Sequence, residues 1–183
     1  MNTTNGKMAI QSRQKLADAL FIIMQQYNFK EITITQIAQE AKLSRKTFYR
    51  LYNNKEEILD DFFQNLFESF IKRVKDEDIH HYWDAVQVYF DFWEEKREFL
   101  RLLKKQNILT ILMNISYNRS FEVFEYVRSK EIMVSFSPYL PYLISYALGG
   151  MHSMLIKWIE EDMAVPSSVL IEKLKAGFQS VDI

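Results

Sequence analysis

The chain has 183 residues, enough for one sizeable hydrophobic core or two smaller ones. Its hydrophobic content of 48% excludes a disordered chain, and its four glycines and three prolines leave little material for a many-stranded sheet. The absence of cysteine excludes disulfides, and no apolar run reaches the roughly 18–20 residues of a membrane span. We therefore expect an all-α protein that is soluble and cytoplasmic, with no cofactor, no metal site and no membrane partner.

Charge is distributed unevenly along the chain. Residues 1–55 carry nine Lys or Arg and three Asp or Glu, a net charge of +6, whereas residues 56–183 carry a net charge of −7. A basic N-terminal region beside an acidic remainder indicates a localised contact with a polyanion.

A first amphipathic helix is predicted over residues 12–27. Its apolar residues recur at helical spacing from Leu16 to Tyr27, and Ser12 is a suitable N-cap. Asn28 follows, and asparagine tolerates the left-handed conformation that often ends a helix.

Two short helices joined by a tight turn are predicted over residues 33–52. Thr33 and Gln36 match a capping box at the start of the first helix, and Ser44 is the N-cap of the second. Helices of about seven residues are unstable alone in water, so they must pack on the helix over 12–27. The result is a three-helix core that contains a helix-turn-helix unit.

Longer helices make up the remainder of the chain. The apolar periodicity predicts them over about residues 55–74, 80–95, 97–106, 108–128, 138–161 and 167–179. With the three helices before them, they give about nine helices. The helix over 138–161 is apolar on two sides, which predicts that both sides are buried.

The second short helix presents a cationic face that is rich in hydroxyl groups. If Phe48, Leu51 and Tyr52 face inward, the polar residues between Arg45 and Arg50 lie on the exposed side. Arg and Lys donate to guanine edges in the major groove, and polar side chains nearby suit phosphate oxygens. An ordinary solvated surface is the alternative, but two capping signals at helix-turn-helix spacing favour DNA.

Residues 12–59 resemble the N-terminal domain of TetR/AcrR-family transcriptional regulators. The matching positions are Thr33 with Ile37-Ala38, Leu43-Ser44, Thr47-Phe48-Tyr49, Tyr52, Lys55-Glu56-Glu57 and Leu59. The chain departs from the family pattern at Asn28 and Lys42, where glycine is usual, and at Arg50, where histidine is frequent. If the backbone at Lys42 has a positive φ, lysine costs on the order of 1 kcal/mol relative to glycine.

The resemblance implies a transcriptional regulator, most simply a repressor that binds a palindromic operator as a homodimer and is released by a small ligand. It implies a helix-turn-helix DNA-binding domain over 1–55, linked by the helix over 55–74, and a regulatory and dimerisation domain over 56–183. By position in the motif, the residues that contact double-stranded DNA are Thr33, Thr35, Gln36, Ser44, Arg45, Lys46, Thr47, Tyr49, Arg50 and Lys55. Lys42, which departs from the family pattern, is expected to add a phosphate contact.

Dimerisation and ligand capture compete for the apolar surface of the C-terminal domain. A four-helix interface between two copies is predicted through Ala147, Gly150, Met151, Met154, Trp158, Leu170 and Leu174. A pocket for an apolar or aromatic effector is predicted from Trp83, Phe90, Trp93, Met113, Tyr117, Phe121, Phe124, Met151 and His152. Ordinary core packing is the alternative for both sets.

Two other functions stay open. A regulator fold can act through a protein partner rather than through DNA, although the intact basic face argues against this. An enzyme is the weakest hypothesis, because the sequence has no Gly-rich phosphate loop, no His-Glu-x-x-His and no convincing Ser/His/Asp arrangement.

Overall fold

The computed structural model describes residues 3–79, 81–112, 123 and 138–180, and the regular elements within these ranges are all helical, as predicted. The chain divides into two compact units, Met1–Asn65 and Leu66–Ile183. The division falls inside a helix, whereas the sequence pattern placed the boundary at residue 55. The predicted boundary separates a DNA-binding domain from a regulatory domain, and this division of function stays a prediction.

Unit 1 contains three helices and the beginning of a fourth. These are α1 (Thr3–Met24), α2 (Ile34–Glu40), α3 (Arg45–Leu51) and α4 (Glu56–Asp76), with a short 3-10 helix at Phe29–Glu31. Their inward faces include fully buried side chains, among them Leu20, Ile37 and Phe48. Burial of a side chain of this size contributes roughly 1.5–3 kcal/mol, which is why helices too short to persist alone are stable in the unit.

The two short helices begin at the predicted caps. The Gln36 N–H donates to Thr33 Oγ1 at 3.3 Å, and the Thr33 N–H donates to Gln36 Oε1 at 2.8 Å, so both halves of the capping box are present. Ser44 Oγ accepts from the Thr47 N–H at 3.0 Å. These bonds span three residues, which explains why the sequence pattern alone located them.

The turn between α2 and α3 depends on Lys42, whose φ is 55°. The Lys42 N–H donates to Gln39 O at 3.0 Å, and the Leu43 N–H donates to Ala38 O at 2.9 Å. This pair of bonds is the Schellman pattern that ends a helix with one left-handed residue. Lys42 therefore occupies the left-handed conformation for which glycine would be the less strained residue.

Two predictions about the ends of α1 are wrong. The helix begins at Thr3, so Ser12 is not its N-cap; the Ser12 hydroxyl instead donates to Met8 O at 2.8 Å inside the helix. Asn28 is not left-handed, since its φ is −66° and its side chain accepts from the Lys30 N–H at 3.1 Å. Serine and asparagine side chains each have several local hydrogen-bonding choices, and spacing did not select between them.

Unit 2 contains the rest of α4 together with α5 (Tyr82–Glu94), α6 (Arg97–Lys105), α7 (Leu140–Glu160) and α8 (Ser167–Ser180). The bounds of α5 to α8 lie within two residues of four predicted helices. Most of the predicted helix over 108–128 lies outside the described residues. Fully buried side chains of this unit include Phe90, Leu100, Leu103 and Leu155.

Candidate nucleic-acid interface

The side of α3 that faces away from the core is cationic. Phe48 is fully buried and Tyr52 is 5% exposed, and these two aromatic residues fix the inward side of the helix. The helix contains no acidic residue. Its exposed residues are Arg45, Lys46, Tyr49 and Arg50. A short helix with one buried side and one positive side has the shape and charge needed in a major groove.

Arg45 and Tyr49 form a pair on this exposed side. The guanidinium carbon of Arg45 lies 5.9 Å from the centroid of the Tyr49 ring. The ring itself is 50% exposed. Stacking on an aromatic face limits the orientations of a guanidinium group, so less side-chain entropy is lost when it binds a base edge.

Several of the other predicted contact residues already bond within unit 1. Thr33 and Gln36 form the capping box, and Ser44 Oγ lies 2.9 Å from Thr47 Oγ1. Thr33, Thr35, Lys42 and Ser44 are exposed, whereas Gln36 and Thr47 are half-buried. The caps hold Thr33 and Gln36 at the start of α2, and Ser44 and Thr47 at the start of α3.

Lys55 has a role inside unit 1 that the sequence did not indicate. Its Nζ donates to the carbonyl oxygens of Phe29 at 2.6 Å, Lys30 at 3.0 Å and Ile32 at 2.8 Å. An ammonium group has three N–H donors, and three acceptors surround this one. We therefore assign Lys55 to holding the 3-10 helix against the start of α4, and we leave it out of the proposed DNA contacts.

A polar cluster at the end of α3 was missed by sequence reasoning. The Tyr52 hydroxyl donates to Asp61 Oδ2 at 2.6 Å, and Arg13 Nη1 donates to Asp61 Oδ1 at 3.2 Å. Burial and the adjacent Asp61 raise the pKa of Tyr52 well above its usual range. The sequence did place Tyr52 on the inward side of α3, and a buried tyrosine hydroxyl usually has a hydrogen-bond partner. Spacing did not identify that partner, since the three residues belong to different helices.

The N-terminal part of the chain is similar to a known protein family. Residues 16–62 match the family described as bacterial regulatory proteins, tetR family. The matched segment contains α2, α3 and every predicted DNA contact. This part of unit 1 is therefore similar to the DNA-binding region of that family.

A curated relative is similar to part of the chain. The HTH-type dhaKLM operon transcriptional activator DhaS of Lactococcus lactis subsp. lactis (strain IL1403) is 36% identical over 67 residues. The alignment covers 37% of this chain and spans about a third (36%) of the length of the relative. No solved structure matches the chain.

Unit 2 contains a cleft of about 420 Å³ lined by residues of α5, α7 and α8. Trp83 and Met151, two of the predicted pocket residues, line it. So do the predicted dimer residues Ala147, Gly150, Met151, Met154 and Leu174. Members of the two predicted surfaces therefore meet at one cleft.

The other predicted residues of unit 2 have different environments. Phe90, Trp93 and Trp158 are buried, and Trp158 Nε1 donates to Val165 O at 2.7 Å. Leu170 and His152 are half-buried, and burial lowers the pKa of His152. Met113, Tyr117, Phe121 and Phe124 lie outside the described residues.

The described ranges offer no membrane-spanning helix and no metal-binding cluster. Within them, no helix is long and apolar enough to cross a bilayer. In the same ranges, no three His, Asp or Glu side chains are grouped closely enough to bind a metal ion.

Proposed function

We propose that this protein is a transcriptional regulator that binds a palindromic DNA operator as a homodimer, with α3 in the major groove. The observation that carries the proposal is the exposed cationic side of α3 within a region similar to the tetR family. Arg45, Lys46 and Arg50 are proposed to contact base edges or phosphates. The remaining proposed contacts are Thr33, Thr35, Gln36, Lys42, Ser44, Thr47 and Tyr49.

Selection of bound duplexes from a random-sequence DNA library tests this proposal. We expect one palindromic sequence to be enriched, with an affinity that falls steeply as salt rises, because phosphate contacts release counterions. Arg45→Ala is expected to weaken binding to that duplex by about 1–3 kcal/mol. Lys72→Ala is the matched control, since Lys72 is an exposed cation of α4 in unit 2. Failure to enrich any sequence, or equal losses in the two variants, would refute the proposal.

The dimer is proposed to form through the exposed side of α7. Tyr142 and Tyr146 are each 75% exposed, and Leu143 is 42% exposed. A Cβ atom added at Gly149 or Gly150 would meet no atom within 4 Å, which leaves room for a helix of a second copy. Trp158 is left out of this proposal, because it is 3% exposed within the protomer.

Measurement of the molar mass in solution tests the dimer proposal directly. Dimerisation would place two α3 helices in successive major grooves, about 34–36 Å apart. Tyr146→Glu puts a charge in the proposed interface and is expected to give a monomer with weakened DNA binding. Glu172→Ala changes an exposed charge on α8 and serves as a comparison. A wild-type monomer at micromolar concentration, or a dimer in Tyr146→Glu, would contradict the proposal.

An apolar or aromatic effector is proposed to bind unit 2. Trp83 and Met151 line the cleft, which gives it an apolar wall. Tyr82 and Ser153 add hydroxyl groups to the lining of the cleft. Ligand pockets combine apolar walls with a few polar groups, so a neutral aromatic compound that carries a carbonyl or hydroxyl group would suit this cleft.

Thermal unfolding tests the effector proposal. A compound that binds the native state raises the unfolding temperature by mass action. We expect neutral aromatic compounds that carry a carbonyl or hydroxyl group to do so, and to weaken binding to the enriched duplex. A panel of such compounds without any effect on either measurement would count against an effector of this class.

Repression is the predicted outcome of DNA binding, and activation is the second candidate. The relative DhaS is named as a transcriptional activator, and this name is the reason to test for activation as well as repression. Deleting the gene and measuring transcription beside the enriched sequence decides between them. Repression predicts higher transcription after deletion, and activation predicts lower transcription.

A further inference from the structure

We propose that Asp61 is a positioning residue that fixes the orientation of α3 for specific DNA binding. This inference rests on the proposed function, because it concerns the helix that contacts DNA there. Asp61 lies on α4, its partner Arg13 lies on α1, and its partner Tyr52 is the C-cap of α3. None of the three residues is among the proposed DNA contacts.

The two carboxylate oxygens of Asp61 are used by two different helix partners. Oδ2 accepts from the Tyr52 hydroxyl at 2.6 Å, and Oδ1 accepts from Arg13 Nη1 at 3.2 Å. The Arg13 guanidinium carbon also lies 5.4 Å from the centroid of the Tyr52 ring. Hydrogen bonds to charged groups are the strong ones, and they are directional. One carboxylate therefore ties α1, the end of α3 and α4 together.

The two bonds of Asp61 differ in how far their partners are shielded from water. Tyr52 is 5% exposed, whereas the Asp61 and Arg13 side chains are 29% and 43% exposed. An ion pair as exposed as Arg13–Asp61 contributes little, because water competes for both charges. The Tyr52–Asp61 bond is better shielded. We therefore expect the loss of the Tyr52 hydroxyl to have a larger effect than the loss of Arg13.

Apolar packing alone constrains α3 weakly. Phe48 is the buried residue of this seven-residue helix, and packing around one aromatic ring has little directionality. A rotation of about 20° would move side-chain tips, roughly 6 Å from the helix axis, by about 2 Å. Direct hydrogen bonds to base edges do not tolerate a displacement of that size. A directional bond from Tyr52 to a carboxylate on a neighbouring helix opposes such a rotation.

A double-mutant cycle of Tyr52→Phe and Asp61→Ala tests the inference, because each change removes the bond between the two side chains. The probes are the duplex most enriched by the wild-type protein and a scrambled duplex of the same length. Tyr52→Phe is expected to weaken binding to the enriched duplex about tenfold, the effect of losing one hydrogen bond to a charged group. Binding to the scrambled duplex is expected to stay within about twofold, because it is electrostatic. Tyr142→Phe, which removes a hydroxyl from a residue 75% exposed in unit 2, is the control.

A role in stability alone gives a different result. In that case Tyr52→Phe would lower the unfolding temperature, while the folded variant would bind the enriched duplex with wild-type affinity. Asp61→Asn keeps an acceptor for the Tyr52 hydroxyl, so we expect it to retain more affinity than Asp61→Ala. Equal affinity in wild type, Tyr52→Phe and Asp61→Ala would overturn the inference.

Amide hydrogen exchange gives a readout that needs no DNA. The Phe48 N–H donates to Ser44 O at 3.1 Å, and the Tyr52 N–H donates to Phe48 O at 2.9 Å. Tyr52→Phe is expected to speed exchange at these two amides, while the amide of Leu20 in α1 exchanges as in the wild type. Unchanged exchange at α3 would overturn the positioning role. If the wild-type protein enriches no duplex, the proposed function fails by itself, and the exchange measurement still tests whether the Tyr52–Asp61 bond holds α3.

Discussion

Replacing Lys55 by methionine separates a structural role of this residue from a role in DNA contact. Methionine keeps most of the aliphatic length and removes the ammonium group. In the folded chain that group donates to the carbonyls of Phe29, Lys30 and Ile32, and it lies 4.8 Å from the centroid of the Phe29 ring. Without it, the segment before α2 loses its tie to the start of α4.

The expected loss of stability follows from these bonds and from their exposure. A hydrogen bond that involves a charged group contributes about 1.5–3 kcal/mol when it is shielded. Lys55 is half-buried, and water can replace the ammonium at part of each carbonyl. We therefore expect Lys55→Met to destabilise unit 1 by about 2 kcal/mol, well below three times the value of one bond.

Native-state amide hydrogen exchange measures this loss locally. The Ile37 and Ala41 amides of α2 are bonded to Thr33 O at 3.1 Å and to Ile37 O at 2.9 Å, so they report the opening of this region. A loss of about 2 kcal/mol corresponds to roughly 30-fold faster exchange. Lys30→Met removes the same charge from an exposed neighbouring side chain and is expected to change exchange little.

A phosphate contact by Lys55 would produce the opposite pattern. Loss of one phosphate contact lowers the salt dependence of binding by about 0.9 in the log–log slope, with no need for a change in stability. If Lys55→Met showed wild-type exchange at Ile37 and Ala41 together with a reduced salt slope, our assignment of Lys55 would be wrong.

Three further predictions concern local features. Lys42→Gly is expected to raise the stability of unit 1 by on the order of 1 kcal/mol in urea unfolding, because φ at this position is 55°; a lower stability would show that the lysine side chain offsets the strain. Ser44→Ala removes the cap on the Thr47 N–H and is expected to lower the stability of unit 1 by about 1 kcal/mol. Ser44→Asp keeps an acceptor for this N–H and is expected to retain most of the stability of the wild type. Burial lowers the pKa of His152, so the stability that this residue contributes is full above its unfolded pKa of 6.5 and is lost as pH falls through the lower folded pKa. His152→Gln is expected to flatten that loss in unfolding measured as a function of pH, and an unchanged pH profile would contradict the prediction.

Local signals allowed much of the fold to be predicted. The capping box at Thr33 and the cap at Ser44 involve bonds over three residues, and the inward side of α3 follows from the spacing of Phe48 and Tyr52. Apolar periodicity, which is also a signal between residues close in sequence, predicted the helix bounds in unit 2. The ends of α1 were mispredicted because Ser12 and Asn28 each form a competing local hydrogen bond, over four residues for Ser12 and over two for Asn28.

The candidate interface was predicted in part. The exposed positions of Arg45, Lys46, Tyr49 and Arg50 agree with the helical spacing, although their contacts with DNA stay proposals. The division of apolar residues in unit 2 between core and surface was not predictable. Trp158 and Trp83 both fit an apolar side of a helix, but only the packing of neighbouring helices placed one in the core and the other at the cleft.

The sequence by itself determined where the short helices start, which side of α3 is apolar and which is positive. Those features depend on residues within one or two helical turns, whose geometry is set by the backbone. Only the tertiary structure decided that Lys55 binds three carbonyls more than 20 positions away, and that Asp61 joins Tyr52 to Arg13. A charged side chain takes the partners that folding brings within its reach, and spacing along the chain carries no record of which ones they are.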